Sequence, residues 1–248
     1  MNPMKIWGMT DTGLVRKENQ DAYAAEQHEA SGRTVCVVCD GMGGAAGGRL
    51  ASSIAVSTYL AEVEKLLTSE MTLEQLQEAS AQAVSVANRA IQEAASQRED
   101  CRNMGTTLVS AISYTEGVVI TNVGDSRAYH ISEAGITQVT KDHSLVESMV
   151  DRGDITAEEA RRHPNRNLIT RALGPDISAD CDGYICPMQP GEYLLLCSDG
   201  LVNTVTDQEI LFEIIHGDGP DTCLDRLLAI SKSRGASDNV TAVLMQKQ

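Results

Sequence analysis

Apolar residues recur in short blocks bounded by glycine, asparagine and aspartate, at residues 5–10, 34–39, 106–114, 117–123, 127–132, 183–186, 193–197 and 240–245. Blocks of this length, rich in Val, Ile and Leu and set between turn residues, predict β-strands. Glycine-containing links of hairpin length within "ISYTEGVVI" and "RAYHISEAGITQV" predict that much of the pairing is antiparallel. Longer stretches change period. Residues 48–67, and 73–97 with apolar positions at Leu73, Leu76, Ala79, Ala83, Val86, Ala87, Ala90 and Ile91, carry the spacing of amphipathic helices, a pair suited to cover one sheet face. Near the end, "TDQEILFEII" opens on an N-cap at Thr206 or Asp207. "PDTCLDRLLAISKS" opens on Pro220 in a tolerated first-turn position, so this second pair would cover the other face. Strands in bulk with helices in pairs argue for an α+β arrangement of layers rather than alternating βαβ units. A highly charged stretch at about 146–167, broken by Gly153 and Pro164, reads as an exposed helical excursion.

Composition narrows the function. At 248 residues one domain spanning 1–248 is expected, and 35 acidic against 20 basic residues give a net charge of −15, which disfavours nucleic acid and anionic membranes as partners. The start lacks a basic segment followed by an apolar one, and the apolar runs are strand-sized, so a cytoplasmic protein is expected. Seven cysteines lie mostly inside apolar stretches, as small core residues do. Cys36 and Cys39 have CxxC spacing, but on a strand they point to opposite faces and cannot share an ion.

The chemistry centres on "VCVVCDGMGG", residues 35–44, where an apolar strand ends in Asp40-Gly41. A hairpin turn is the common use of that dipeptide. Gly41, Gly43 and Ala46 also fit a G-x-G-x-x-A dinucleotide fingerprint, but Asp40 would repel a pyrophosphate and no acidic strand end follows for a ribose. The pattern then recurs: "YLLLCSDGL" again delivers an aspartate, Asp199, from the end of an apolar strand. If Asp40, Asp199 and Asp238 converge, their mutual repulsion requires cations. An all-oxygen donor set selects hard ions such as Mg²⁺ or Mn²⁺.

The ordered series "RKENQD" (16–21), "DGMGG" (40–44), "MGTT" (104–107), "GDSRAY" (124–129), "DHS" (142–144), "NLITRALG" (167–174), "SDGL" (198–201) and "SDNVT" (237–241) resembles the protein phosphatase 2C-like, metal-dependent serine/threonine phosphatases in their compact bacterial form. The resemblance implies an α-β-β-α sandwich of two mainly antiparallel sheets flanked by helix pairs, with a flap at about 146–167 beside the cleft. It implies two or three Mg²⁺ or Mn²⁺ ions. Asp40 would bridge two of them, with the Gly41 carbonyl on one and Asp199 and Asp238 on the other; Asp21 would act in an outer shell, and Asp142 would join a third ion. Arg16 would grip the substrate phosphate, and a water or hydroxide shared between cations would attack phosphorus directly. Asp125 and Arg127 are read as a pair inside the sheet, with support of the metal ligands from behind as the alternative for Asp125. The implied substrates are phosphorylated proteins, opposite a cognate Ser/Thr kinase, for a protein acting as a monomer; a catalytically weak regulatory module on the same scaffold is the alternative. Met42 stands where many relatives carry histidine as a general acid, leaving metal-bound water or another residue, with His143 and His163 as candidates, and Gln20 stands where some have glutamate.

Overall fold

The structure, a computed structural model, describes residues 4–248; residues 1–3 of the expected 1–248 unit lie outside it. Eleven strands are found among the described residues: β1 (Met4–Asp11), β2 (Asp21–His28), β3 (Arg33–Met42), β4 (Gly105–Thr106), β5 (Leu108–Ser113), β6 (Gly117–Val123), β7 (Arg127–Ser132), β8 (Gly135–Gln138), β9 (Asp182–Pro187), β10 (Tyr193–Cys197) and β11 (Val240–Lys247). The α-helices are α1 (Gly44–Leu66), α2 (Leu73–Ser96), α3 (Leu145–Asp151), α4 (Ala157–Arg162), α5 (Asp199–Val202), α6 (Asp207–His216) and α7 (Pro220–Ser233). One sheet runs β1-β11-β10-β7-β8 and the other β2-β3-β5-β6-β9, with β4 added to β3. Every pairing is antiparallel.

Three apolar layers follow from side-chain alternation. In β3, Val35, Val37 and Cys39 face α1 and α2, whereas Cys36 and Val38 face the opposite sheet among Val109, Ile120, Leu194, Leu196 and Val243. The expected opposed orientation of Cys36 and Cys39 is what the strand shows. A third layer, including Tyr129, Leu195, Leu244, Ile210, Leu224 and Leu227, lies between the first sheet and α6 and α7. The result is the α-β-β-α sandwich. Because β3 is covered on both faces, its sequence reads as a continuous apolar run rather than an alternating one.

The helix starts follow local chemistry. Thr72 and Thr206 form capping boxes with Gln75 and Glu209, and Pro220 opens α7 where no backbone donor is needed. Two elements differ from the sequence reading. β2, "DAYAAEQH", has no strong β signal and is a strand because it pairs along its whole length with β3. α1 begins at Gly44 rather than residue 48, with Gly43 at φ 114° and Gly44 at φ 84° carrying the chain from β3 into the helix.

Candidate metal centre

The β2–β3 register places Asp21 directly opposite Asp40. Past Asp40, the backbone is held on both sides. The Asp40 carbonyl accepts from the Thr107 N–H and the Thr106 hydroxyl, both at 2.9 Å, and its own N–H donates to the Thr107 hydroxyl at 2.9 Å. Gly41 donates to the Gln20 carbonyl, and a Cβ on Gly41 would lie 2.1 Å from the Gly48 carbonyl oxygen. Only glycine lets α1 come this close to the strand end.

The second aspartate is delivered from the other sheet. β10 ends at Cys197, Ser198 caps α5, and Asp199 is that helix's first residue. A Cβ on Gly200 would lie 1.9 Å from the Asn239 carbonyl oxygen, so Gly200 serves at this strand end the packing purpose of Gly41 at the other. Asp238 precedes β11, and Asp125 sits in the turn between β6 and β7, where the chain crosses from one sheet to the other. Arg16, Asp40, Gly41, Asp125, Asp199 and Asp238 all line one cleft of about 510 Å³.

Asn239 fixes the loop that carries Arg16. Its amide nitrogen donates to the carbonyls of Thr12 and Glu18, each at 3.0 Å, and its oxygen accepts from the Gln20 N–H at 2.8 Å. The Arg16 guanidinium reaches Asp238 at 2.6 Å and is half exposed at the mouth of the cleft. That contact, ahead of the more distant pull of Asp40 and Asp199, keeps it firmly charged. Ser198 donates to Asp21 at 2.8 Å and accepts from the Thr241 N–H, joining the two sheets behind the cleft. Asn203 donates to Asp199 at 3.0 Å.

The electrostatics show what this arrangement lacks. Burial, then Asp21 and Asp199, push Asp40 well above the usual carboxylate range. Burial and then Asp238 raise Asp199 as well. Buried carboxyls that raise one another are relieved by a proton or a cation. Asp125 is pushed up to about 8 by burial and then by Asp199, and Asp21 to about 6 mainly by burial. One oxygen of Asp21 is buried with no partner among the described residues. A surplus of crowded oxygen acceptors with one arginine at the edge fits divalent hard cations. No three His, Cys, Asp or Glu side chains among the described residues are gathered tightly enough to cage an ion unaided. The set therefore fits ions that keep much of their water, as Mg²⁺ does.

Asp142 does not line this cleft but shares the neighbouring cavity with Asp125 and Asp199. Both of its oxygens accept from Arg127, at 2.7 to 3.1 Å, and one also accepts from Gln138. The expected Asp125–Arg127 pair is thus replaced by Asp142–Arg127, and the carboxylate that faces Asp199 from this side is Asp125. The N-cap of α3 is Ser144, whose hydroxyl accepts from the Glu147 N–H. The two histidine candidates also lie elsewhere. His143 is buried, accepts from the Gly124 N–H and contacts Asp182 at 3.1 Å, and burial lowers its pKa. His163 sits at the end of α4, accepting from the Asn165 N–H. Sequence reasoning quoted Asn239, Ser198, Thr106 and Thr107 within motifs without seeing that they position the aspartates and Arg16.

Fold and site together define a two-sheet α-β-β-α sandwich with an acidic cleft at the strand ends. The sequence model described as protein phosphatase 2C matches residues 15–244. The chain belongs to that family and is an enzyme of the phosphatase class. It is 36% identical over 239 residues to a serine/threonine phosphatase of Listeria monocytogenes, covering 96% of this chain and 94% of the relative. It is 34% identical over 243 residues to a protein phosphatase of Streptococcus pneumoniae, covering 98% and 97%. Among solved structures, a serine/threonine phosphatase of Staphylococcus aureus matches with a TM-score of 0.93 at 33% identity, covering 100% of this chain and 98% of that one. One from Mycobacterium tuberculosis matches at 0.88 and 32%, covering 99% of each chain.

Proposed function

We infer that this chain hydrolyses phosphoserine and phosphothreonine in proteins, with Mg²⁺ or Mn²⁺ held by Asp40, the Gly41 carbonyl, Asp199 and Asp238. Asp21 orients that set from behind, and Asp125 is available to a further ion. The observation that carries the reading is the convergence of Asp40, Asp125, Asp199 and Asp238 from both sheets onto one cleft, with Arg16 at its mouth. Bound there, such cations would supply a nucleophilic water of depressed pKa and would offset charge on the phosphoryl oxygens.

The residues of the chain do the rest. Arg16 presents paired N–H donors to a phosphate entering from solvent, exchanging its contact with Asp238 for the substrate. Asn239 holds the Arg16 loop in place, and the Thr106 and Thr107 contacts hold Asp40. With Met42 in the glycine motif and neither His143 nor His163 in the cleft, the leaving alkoxide takes its proton from solvent water. Seven thiols, none in a disulfide, fit a reducing cytoplasm, and the natural counterpart is a Ser/Thr kinase acting on the same proteins.

The purified chain should release phosphate from a phosphothreonine peptide with Mn²⁺ and stop on addition of chelator. Asp199→Asn should lower turnover by at least about a hundredfold while the chain stays folded. Turnover by Asp199→Asn at the wild-type rate would remove the assignment.

A further inference from the structure

His143 lines neither the cleft nor the cavity beside it, yet it is buried against the turn that delivers Asp125. Its contacts fall on Gly124, the residue before that aspartate. The Gly124 N–H donates to Nδ1 of His143 at 3.1 Å, and the Gly124 carbonyl accepts from the His143 N–H at 2.9 Å and from the Asn122 amide at 3.2 Å. Gly124 is closely packed as well: at φ 106°, a Cβ on it would lie 2.6 Å from Cγ2 of Thr107. After Asp125, the Ser126 hydroxyl pairs with that of Thr107 at 2.7 Å, the same hydroxyl that accepts from the Asp40 N–H. Asp125 therefore has an anchor on each side. The one after it is shared with Asp40, and the one before it is His143.

A backbone N–H can be received only by a ring nitrogen that carries no proton, so His143 is neutral, with its proton on Nε2. That proton meets Asp182 at 3.1 Å, and Asp182 accepts in turn from Arg171 at 2.8 Å. Turned over, the ring would set carbons against both Gly124 and Asp182. The His143 carbonyl accepts from the Thr170 N–H at 2.7 Å, so "NLITRALG" closes on "DHS" at this same residue.

We propose that His143 is a positioning residue for Asp125: its unprotonated Nδ1 fixes the Gly124 peptide and so aims the Asp125 carboxylate, while Asp182 and Arg171 hold the ring in the tautomer that can do this. The assignment rests on the reading, above, that Asp125 is available to a further ion. Groups that orient a metal ligand from behind are worth roughly ten- to a hundredfold in metal affinity.

Two variants divide the ring between its two bonds. His143→Asn puts an amide oxygen where Nδ1 stands and gives up Asp182; His143→Gln reaches toward Asp182 but leaves the Gly124 N–H without an acceptor. The test is calorimetric titration of the full chain with Mn²⁺, without substrate. Asp125→Asn should lose one binding step, which marks the ion that Asp125 holds. In His143→Gln that step should weaken by about ten- to a hundredfold, whereas in His143→Asn it should stay within about threefold of wild type. An affinity that falls equally in the two variants overturns the proposal, because a packing role alone loses the ring in both. A glutamine variant that binds like wild type overturns it as well. Nitrogen NMR of the wild-type chain with Mg²⁺ needs no variant to fold: Nδ1 of His143 should be bare and Nε2 protonated, and a protonated Nδ1 overturns the proposal. If Asp125→Asn keeps every binding step, the reading of Asp125 falls and takes the role of His143 with it. If Asp125→Asn loses a step that His143→Gln keeps, only His143 is wrongly assigned.

Discussion

Replacing Asp125 by asparagine should stabilise the metal-free protein, and do so more strongly the higher the pH. In the folded chain its carboxyl is pushed from the ordinary 3.8 up to about 8, first by burial and then by Asp199 and Asp142, with Arg127 pulling weakly the other way. Between those values the folded state keeps a proton that the unfolded state has released, so stability falls as pH rises. The slope is about 1.4 kcal/mol per pH unit, and by pH 7 the accumulated cost is about 4 kcal/mol. Asparagine removes this cost but introduces an amide that needs new partners, at about 1–2 kcal/mol. The net gain should be near zero at pH 5 and about 2–3 kcal/mol at pH 7. The latter raises the melting temperature by about 5–10 °C for a chain of this size. Thermal unfolding of Asp125→Asn and wild type, followed by circular dichroism in chelator at pH 5, 6, 7 and 8, measures the difference directly. Saturating Mn²⁺ should stabilise the wild type by mass action and shrink the advantage of the variant. A difference that stays flat across this pH range would refute the view that the aspartates crowd one another in the absence of cations.

Asn239→Ala strands two carbonyls and one N–H and should cost about 2 kcal/mol in urea unfolding, with at least a tenfold fall in kcat/KM as the Arg16 loop loosens. Arg127→Ala leaves Asp142 largely buried without its partner and should destabilise by about 3 kcal/mol. Asp142→Asn should keep the Mn²⁺ concentration for half-maximal activity within about threefold of wild type, and a large rise would return Asp142 to the ligand set. Gly200→Ala forces a Cβ against the Asn239 carbonyl and should lower the unfolding free energy by more than about 3 kcal/mol, read from the urea midpoint.

The strands that carry the aspartates were legible because β3, β10 and β11 are buried on both faces and must be apolar throughout. The helix pairs were legible from their period and caps. β2 was not, because a half-buried edge strand of alanines, Glu26 and Gln27 takes its conformation from pairing with β3 rather than from its own composition. The start of α1 was hidden by the glycines ahead of residue 48, where the helix was expected to begin; Gly48 is there to let the helix pass against Gly41. Asp125 was misread because the true partner of Arg127 lies 15 residues on, across the β7–β8 hairpin. That hairpin sets Tyr129 opposite Gln138 and so turns Asp142 back toward Arg127, a register that the glycine link alone did not fix. The polar residues that support the site, Asn239 and Ser198 above all, bond across 219 and 177 positions of sequence, a distance over which local pattern carries no information.

The four cleft aspartates do not share a layer. Asp40 belongs to the sheet beneath α1, Asp199 and Asp238 to the ends of inner strands of the other, and Asp125 to the turn that crosses between them. Ions seated there would act as a clasp fastening two leaves already held by their apolar inner faces and the Ser198 bonds, so that catalytic competence and the closure of this end of the molecule would be one event. Stripping the ions should loosen the ends of β3 and β11 together, and amide exchange should quicken at both while the far ends of the same strands stay protected.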